Sequence, residues 1–175
     1  MHIYCMETLP KIDSIDLAKH LLAKLGKMEH LKIQKLLYYM EAYHLAYFDV
    51  SLIDDDFEAW MHGPVSRKVW LHFKKPAAVY NEISISGEEA VACAGRFEKT
   101  LSPTQQEFLQ DVLNNYGNDT SYQLECQTHD EAPWIEARAG LSPTEVCKNV
   151  ISKETMKQFY RQYLYSTNDK AKAAS

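Results

Sequence analysis

The sequence contains no CxxC pair and no long apolar run. Both absences limit the classes of protein to which it can belong. Its cysteines are scattered at Cys5, Cys93, Cys126 and Cys147, as is typical of free thiols in a reducing compartment. The N-terminus, MHIYCMETLPK, lacks the charged start and apolar stretch of a signal peptide. No apolar segment approaches the roughly 18 residues that a membrane span requires. We therefore expect a cytoplasmic protein that has no membrane contact.

An excess of basic residues is absent as well. The chain has 19 Lys and Arg residues against 24 Asp and Glu residues, which gives a formal net charge of −5. Proteins that bind nucleic acid gain affinity from clustered Lys and Arg, because these release the counterions around the phosphates. The charge balance therefore argues against nucleic acid as the main partner.

Recognisable catalytic motifs are missing too. The sequence has no GxSxG elbow, no GxGxxG loop and no Walker loop, so neither nucleophilic catalysis nor nucleotide binding is indicated. The best metal candidate is Cys126 with His129, followed by Asp130 and Glu131. A second ligand pair is missing, and His62 completes a site only if the fold brings the two loops together. We predict no catalytic residue, no bound metal and no cofactor.

Helical periodicity and helix-capping signals dominate what is present. Asp13 or Ser14 begins a first amphipathic helix, and residues 30–48 form a helix that is apolar on two faces and therefore central. Ser102 followed by Pro103 and Gln105 forms a capping box, the clearest helix start in the chain. Further helices are predicted to begin at Asp119 or Thr120, at Pro133 and after Ser152. Residues 88–101 show no clear pattern.

Alternating apolar residues predict a small β element. Phe57, Ala59 and Met61 alternate with polar or aromatic neighbours and lead into Gly63-Pro64. A second alternating stretch, VYNEISISG, is predicted to pair with the first as a hairpin or short sheet. Pro64 is predicted to open the next helix, because proline suits the first helical position.

These elements predict a mainly α fold, a single-domain helical bundle with a small β-hairpin or short sheet. Residues 1–12 are interpreted as an N-terminal extension and residues 13–165 as the helical domain. The polar segment STNDKAKAAS, residues 166–175, is predicted to be a disordered tail.

The segment EAWMHGPV, residues 58–65, places Trp60 and His62 beside a rigid Gly63-Pro64 turn. An aromatic side chain next to an exposed turn is typical of a protein-binding hot spot, but the same residues also suit a buried structural turn. Both interpretations stay open. We predict that the loop QTHDEAPW, which contains His129 and Trp134, packs near Trp60 and His62 to form one structural corner.

Four motifs in order and spacing resemble the Panacea, or SocA-like, antitoxin family of phage-associated domains. They are LKIQKLLYYMEAYHLA, FEAWMHGPVSRKVW, YGNDTSYQLECQTHDEAPWIEAR and ISKETMKQFY. The resemblance extends from Ile15 to Tyr163. The chain departs from the family at His62, where members often carry tyrosine, at Trp70, which replaces another tyrosine, and at Met40-Glu41, which replaces an Ala-Gln pair.

The resemblance implies a mainly helical domain that neutralises a toxin encoded next to it by direct protein contact. Some family members are thought to hand the toxin to a protease, so a protease is a second expected partner. The residues implied for partner binding, or for the motif corner, are Trp60, His62, Gly63, Pro64, Val65, Arg67, His129 and Trp134. The identity of the toxin and the oligomeric state stay open.

Two other functions are alternatives to an antitoxin. One is a metal-assisted hydrolase that uses His62, His129 and Asp130. The other is a repressor that binds DNA to regulate its own operon, although the acidic charge balance disfavours it.

Overall fold

A computed structural model describes residues 9–73 and 78–173, with side chains as far as Leu164. The helices of this part are α1 (Ser14–Leu25), α2 (His30–Phe48), α3 (Arg67–His72), α4 (Gly87–Thr100), α5 (Pro103–Tyr116), α6 (Ser121–His129), α7 (Ala132–Ala137) and α8 (Lys153–Ala173). Its strands are β1 (Met28–Glu29), β2 (Phe57–Trp60), β3 (Gly63–Ser66) and β4 (Glu82–Ile83). The predicted fold class, mainly helical with a minor β component, is confirmed. None of the described helices has the length and apolar character needed to cross a membrane.

Helix α2 lies at the centre of the fold. All of its residues are buried except Lys32, Tyr47 and Phe48, whereas an ordinary surface helix buries one stripe. Helices α1, α5, α6 and α8 all pack against it. The two apolar faces predicted for residues 30–48 are explained by this position.

Buried polar groups on α2 connect it to distant parts of the chain. The Glu41 carboxylate is fully buried; it accepts hydrogen bonds from the backbone N–H groups of Leu52 (2.8 Å) and Ile53 (3.0 Å) and pairs with Lys153 Nζ at 3.0 Å. A buried carboxylate is tolerated only with such partners. Glu41 therefore joins α2 to the loop that follows it and to the start of α8.

Several helix starts have the caps that the sequence predicted. Asp13 caps α1, and the boxes of Ser102 with Gln105 and of Thr120 with Gln123 begin α5 and α6. Helix α4, which was not predicted, begins with a further capping box at Ser86.

The β element differs from the prediction in two details. Strand β2 pairs with β3, so Gly63 and Pro64 belong to the second strand of a hairpin. Helix α3 begins instead at Arg67, because the Ser66 hydroxyl accepts the N–H of Val69 and caps it. The stretch around β4 pairs with β1, not with β2.

The edges of the predicted domain are only partly described. Ile12, from the predicted extension, is buried, and its N–H donates to Leu52 O at 3.0 Å. Residues 1–8 lie outside the described residues. Helix α8 continues through residues 166–173, part of the predicted tail, and the tail's last two residues are not described. The domain boundaries stay a prediction.

Candidate partner-binding site

The β2–β3 hairpin and the loop between α6 and α7 pack together in a motif corner. The indole Nε1 of Trp134 donates to Trp60 O at 2.9 Å. His129 stacks on Trp134 with ring centroids 4.2 Å apart, and Arg138 Nη1 donates to Ala59 O at 2.9 Å. Arg138 was not predicted, although it lies one helical turn after Trp134 and therefore on the same side of the chain.

Gly63 lies against Lys35 of α2 and Thr128 of α6. Its φ is 96°, a value that favours glycine. A Cβ atom there would lie 2.6 Å from Lys35 Cε, 2.7 Å from Lys35 Nζ and 2.8 Å from Thr128 Oγ1. Lys35 is fully buried and donates to Pro64 O at 3.1 Å. Burial lowers the pKa of Lys35 to about 7.

The second strand of the hairpin is fixed by an amide side chain. Gln34 accepts the N–H of Ser66 at 2.8 Å and donates to Ser66 O at 3.3 Å. Val65 is buried, whereas Arg67 is exposed and lies 3.8 Å from Glu58. Gly63, Pro64 and Val65 therefore support the corner from inside, and Arg67 faces solvent.

His62 lies at the outer side of the corner. Its Nδ1 is 2.7 Å from Glu125 Oε1, and the Tyr80 hydroxyl donates to Glu125 Oε2 at 3.3 Å. Trp60 Nε1 donates to Glu58 at 2.6 Å, and its ring meets that of Trp70 edge to face at 5.5 Å. Trp60 is therefore held by a residue of its own strand, and His62 by a residue of α6.

An apolar pocket of about 240 Å³ opens beside these aromatic groups. It is lined by Trp60, Met61, His62, Val65, Val79, Val146, Cys147 and Lys148. Met61 is 39% exposed and Val146 is 84% exposed. The corner thus offers an exposed apolar rim around a small pocket.

The candidate metal ligands have different surroundings. Cys126 and Asp130 are exposed, while the Glu131 carboxylate accepts hydrogen bonds from the hydroxyls of Tyr39 (3.1 Å) and Tyr160. Among the side chains of residues 9–73 and 78–164, no group of three or more His, Cys, Asp or Glu has an arrangement that would hold a metal ion.

A second surface, which the sequence did not predict, is a groove of about 940 Å³ beside α2, α5 and α8. Tyrosines line it: the hydroxyls of Tyr43 and Tyr116 lie 2.6 Å apart, and the buried Tyr39 ring stacks on Tyr116 at 4.2 Å. Burial raises the pKa of Glu131 to about 7, against the effect of the two tyrosine hydrogen bonds. The tyrosines come from helices far apart in sequence, so no local motif shows the groove.

A comparison with protein families identifies the domain in which the corner lies. Residues 33–135 match the family model described as the antitoxin SocA-like, Panacea domain. The matched segment contains both the β2–β3 hairpin and the loop with His129 and Trp134. No curated protein and no solved structure matches the chain.

Proposed function

The chain belongs to the SocA-like antitoxin family with a Panacea domain, and from this premise we propose that it binds and neutralises a toxin encoded by a neighbouring gene. Family membership confirms the resemblance seen in the sequence. Neutralisation occurs by occlusion, in which the bound antitoxin covers the working surface of the toxin. No residue of the chain is assigned a catalytic role.

The observation that supports this proposal is the exposed apolar rim of the motif corner. Protein-binding hot spots combine an aromatic anchor with a pocket that excludes water, and Trp60 and Met61 border such a pocket. The corner is also rigid, because Trp134, Arg138 and Gln34 fix its backbone. A rigid surface binds with a smaller loss of side-chain and loop entropy.

This geometry divides the predicted site residues into two groups. Trp60, His62 and Arg67 are in a position to contact the toxin. The other residues hold the corner together, namely Gly63, Pro64, Val65, His129 and Trp134.

The test is a growth assay in which the neighbouring gene is induced with and without this chain, combined with a pull-down of the tagged chain. We expect the neighbour to arrest growth, the chain to restore it, and the two proteins to co-purify. A harmless neighbour, or rescue without a complex, would contradict the proposal.

A pair of exposed valines tests the docking surface. Val146→Glu places a charge on the apolar rim, whereas Val91→Glu places the same charge on α4, at a residue that is 77% exposed. We expect Val146→Glu to abolish rescue and co-purification and Val91→Glu to retain both. Equal rescue by the two variants would show that the toxin docks elsewhere.

Delivery of the toxin to a protease is a further candidate activity. Measuring the amount of toxin in the cells of the growth assay distinguishes delivery from occlusion. Under occlusion, the amount of toxin in cells stays constant when this chain is co-expressed. Delivery would instead lower the amount of toxin, and deletion of the responsible protease would restore it.

A further inference from the structure

The groove beside α2 has the shape of a missing helix in a bundle. Helices α5 and α8 both pack on α2, and the C-terminal part of α2 forms the floor between them. Groove residues recur on α5 from Thr104 to Tyr116 with helical spacing, so the groove follows about three turns, or roughly 18 Å, of that helix. A helix of about 12 residues matches this length.

The groove wall is aromatic along most of its length. Its aromatic residues are Tyr43, Tyr47, Phe48, Phe108, Tyr116, Phe159, Tyr160 and Tyr163. Tyr47 is 64% exposed, and its ring lies 5.3 Å from that of Phe108. Such a surface binds apolar side chains, and aromatic faces also attract Lys and Arg cations.

The charge of the groove has one sign. Its acidic lining residues are Glu107, Asp111, Asp119, Asp130 and Glu131, and no Lys, Arg or His among the residues with described side chains lines it. Glu131 is already hydrogen-bonded to tyrosines. Glu107 and Asp111 are exposed and form no ion pair within the described part of the chain, so they can pair with an incoming cation.

We propose that this groove binds an amphipathic helix of a partner protein that carries Lys or Arg beside an apolar stripe. The inference rests on the proposed function, in which that partner is the toxin. Carboxylates on α5 would pair with the basic residues, and the aromatic wall would receive the apolar stripe. A second copy of this chain is a poorer occupant, because it carries the same net negative charge.

The experiment uses two synthetic helical peptides of 14 residues, identical in their leucine stripe, with lysine or glutamate at the flanking positions. Binding to the purified full-length chain is measured by fluorescence anisotropy. We expect the lysine peptide to bind at least tenfold more tightly than the glutamate peptide.

Variants of the chain localise the binding. Glu107→Gln combined with Asp111→Asn removes two groove charges, and Tyr47→Ala removes part of the aromatic wall. The matched control combines Asp56→Asn with Glu98→Gln, because it makes the same change in net charge at exposed residues outside the groove lining. The groove variants should weaken binding of the lysine peptide at least tenfold, and the control should change it by less than twofold.

Three results would overturn the proposal. They are absence of binding, equal losses in the groove and control variants, and a dimer of this chain that the groove variants convert to monomer. The peptide test contains no toxin, so it is independent of the growth assay. A chain that restores growth but does not bind the peptide keeps the proposed function and loses this inference.

Discussion

Gly63 is the residue on which the geometry of the motif corner depends most directly. Its φ of 96° and the closeness of Lys35 and Thr128 leave no room for a side chain. We expect Gly63→Ala to lower the free energy of unfolding by about 3 kcal/mol, from backbone strain together with overpacking. Urea denaturation followed by circular dichroism measures this change.

Gly95 provides the control for that substitution. It lies inside α4, and a Cβ atom there would meet no other atom within 4 Å. Gly95→Ala should therefore raise the free energy of unfolding by about 0.5–1 kcal/mol through helix propensity. If the two alanine variants were equally stable, the close approach at Gly63 would not contribute to the free energy of unfolding.

At the scale of elements, α2 is the central helix on which several other helices pack. The buried Glu41 side chain of α2 has several polar partners outside the helix. Glu41→Ala leaves the N–H groups of Leu52 and Ile53 without their acceptor and removes the carboxylate that pairs with Lys153. Lys153 keeps its hydrogen bonds to Ser51 Oγ and Ile53 O. We expect a loss of about 3 kcal/mol in the free energy of unfolding.

The control for Glu41→Ala is Glu154→Ala. Glu154 is an exposed acid on α8 that pairs with Lys157 at 2.9 Å, and exposed pairs contribute little to stability because water and salt screen them. The same urea denaturation applies to both variants. Similar losses in the two would mean that the buried carboxylate contributes no more than a surface pair.

Elements with a clear local signal were predictable from the sequence. Helix α2 has the predicted limits, 30–48, because its apolar residues cover two faces, and α5 shows its start in Ser102 and Gln105. Helix α4 was not predicted, although Ser86 and Glu89 form a capping box that is visible in the sequence; only Cys93 and Phe97 of this helix are buried.

Features that depend on distant contacts were not predictable. Pro64 looked like a helix start, but its conformation is set by the pairing of β3 with β2 and by Lys35 beneath it. The packing of the Trp134 loop near Trp60 was a hypothesis from the sequence, but the atoms that hold it, such as those of Arg138, came only from the structure. Partner binding by these residues stays a prediction.

At the scale of the whole molecule, one short segment connects the two candidate surfaces. His129 and Trp134 belong to the motif corner, while Asp130 and Glu131, between them, line the groove. A partner that extended from the corner into the groove would cover both an apolar rim and an acidic wall. The molecule also buries one ionisable group beneath each surface, Lys35 at the corner and Glu131 at the groove.

These two buried groups should change the free energy of unfolding in opposite directions and in different pH ranges. Burial raises the pKa of Glu131 from 4.5 to about 7. Between these values the folded state holds a proton that the unfolded state has released, so stability falls as pH rises. Burial lowers the pKa of Lys35 from 10.5 to about 7. Above pH 7 the unfolded state holds the extra proton, so stability rises with pH.

Glu131→Gln and Lys35→Met separate the two effects. Urea denaturation from pH 5 to pH 9 should show that Glu131→Gln removes a fall in stability between pH 5 and 7, because glutamine does not titrate. Lys35→Met should remove a rise between pH 7 and 9 and leave the acidic range unchanged. Each variant controls for the other, since each alters one half of the profile. Profiles parallel to that of the unsubstituted chain would mean that neither group changes its proton affinity on folding.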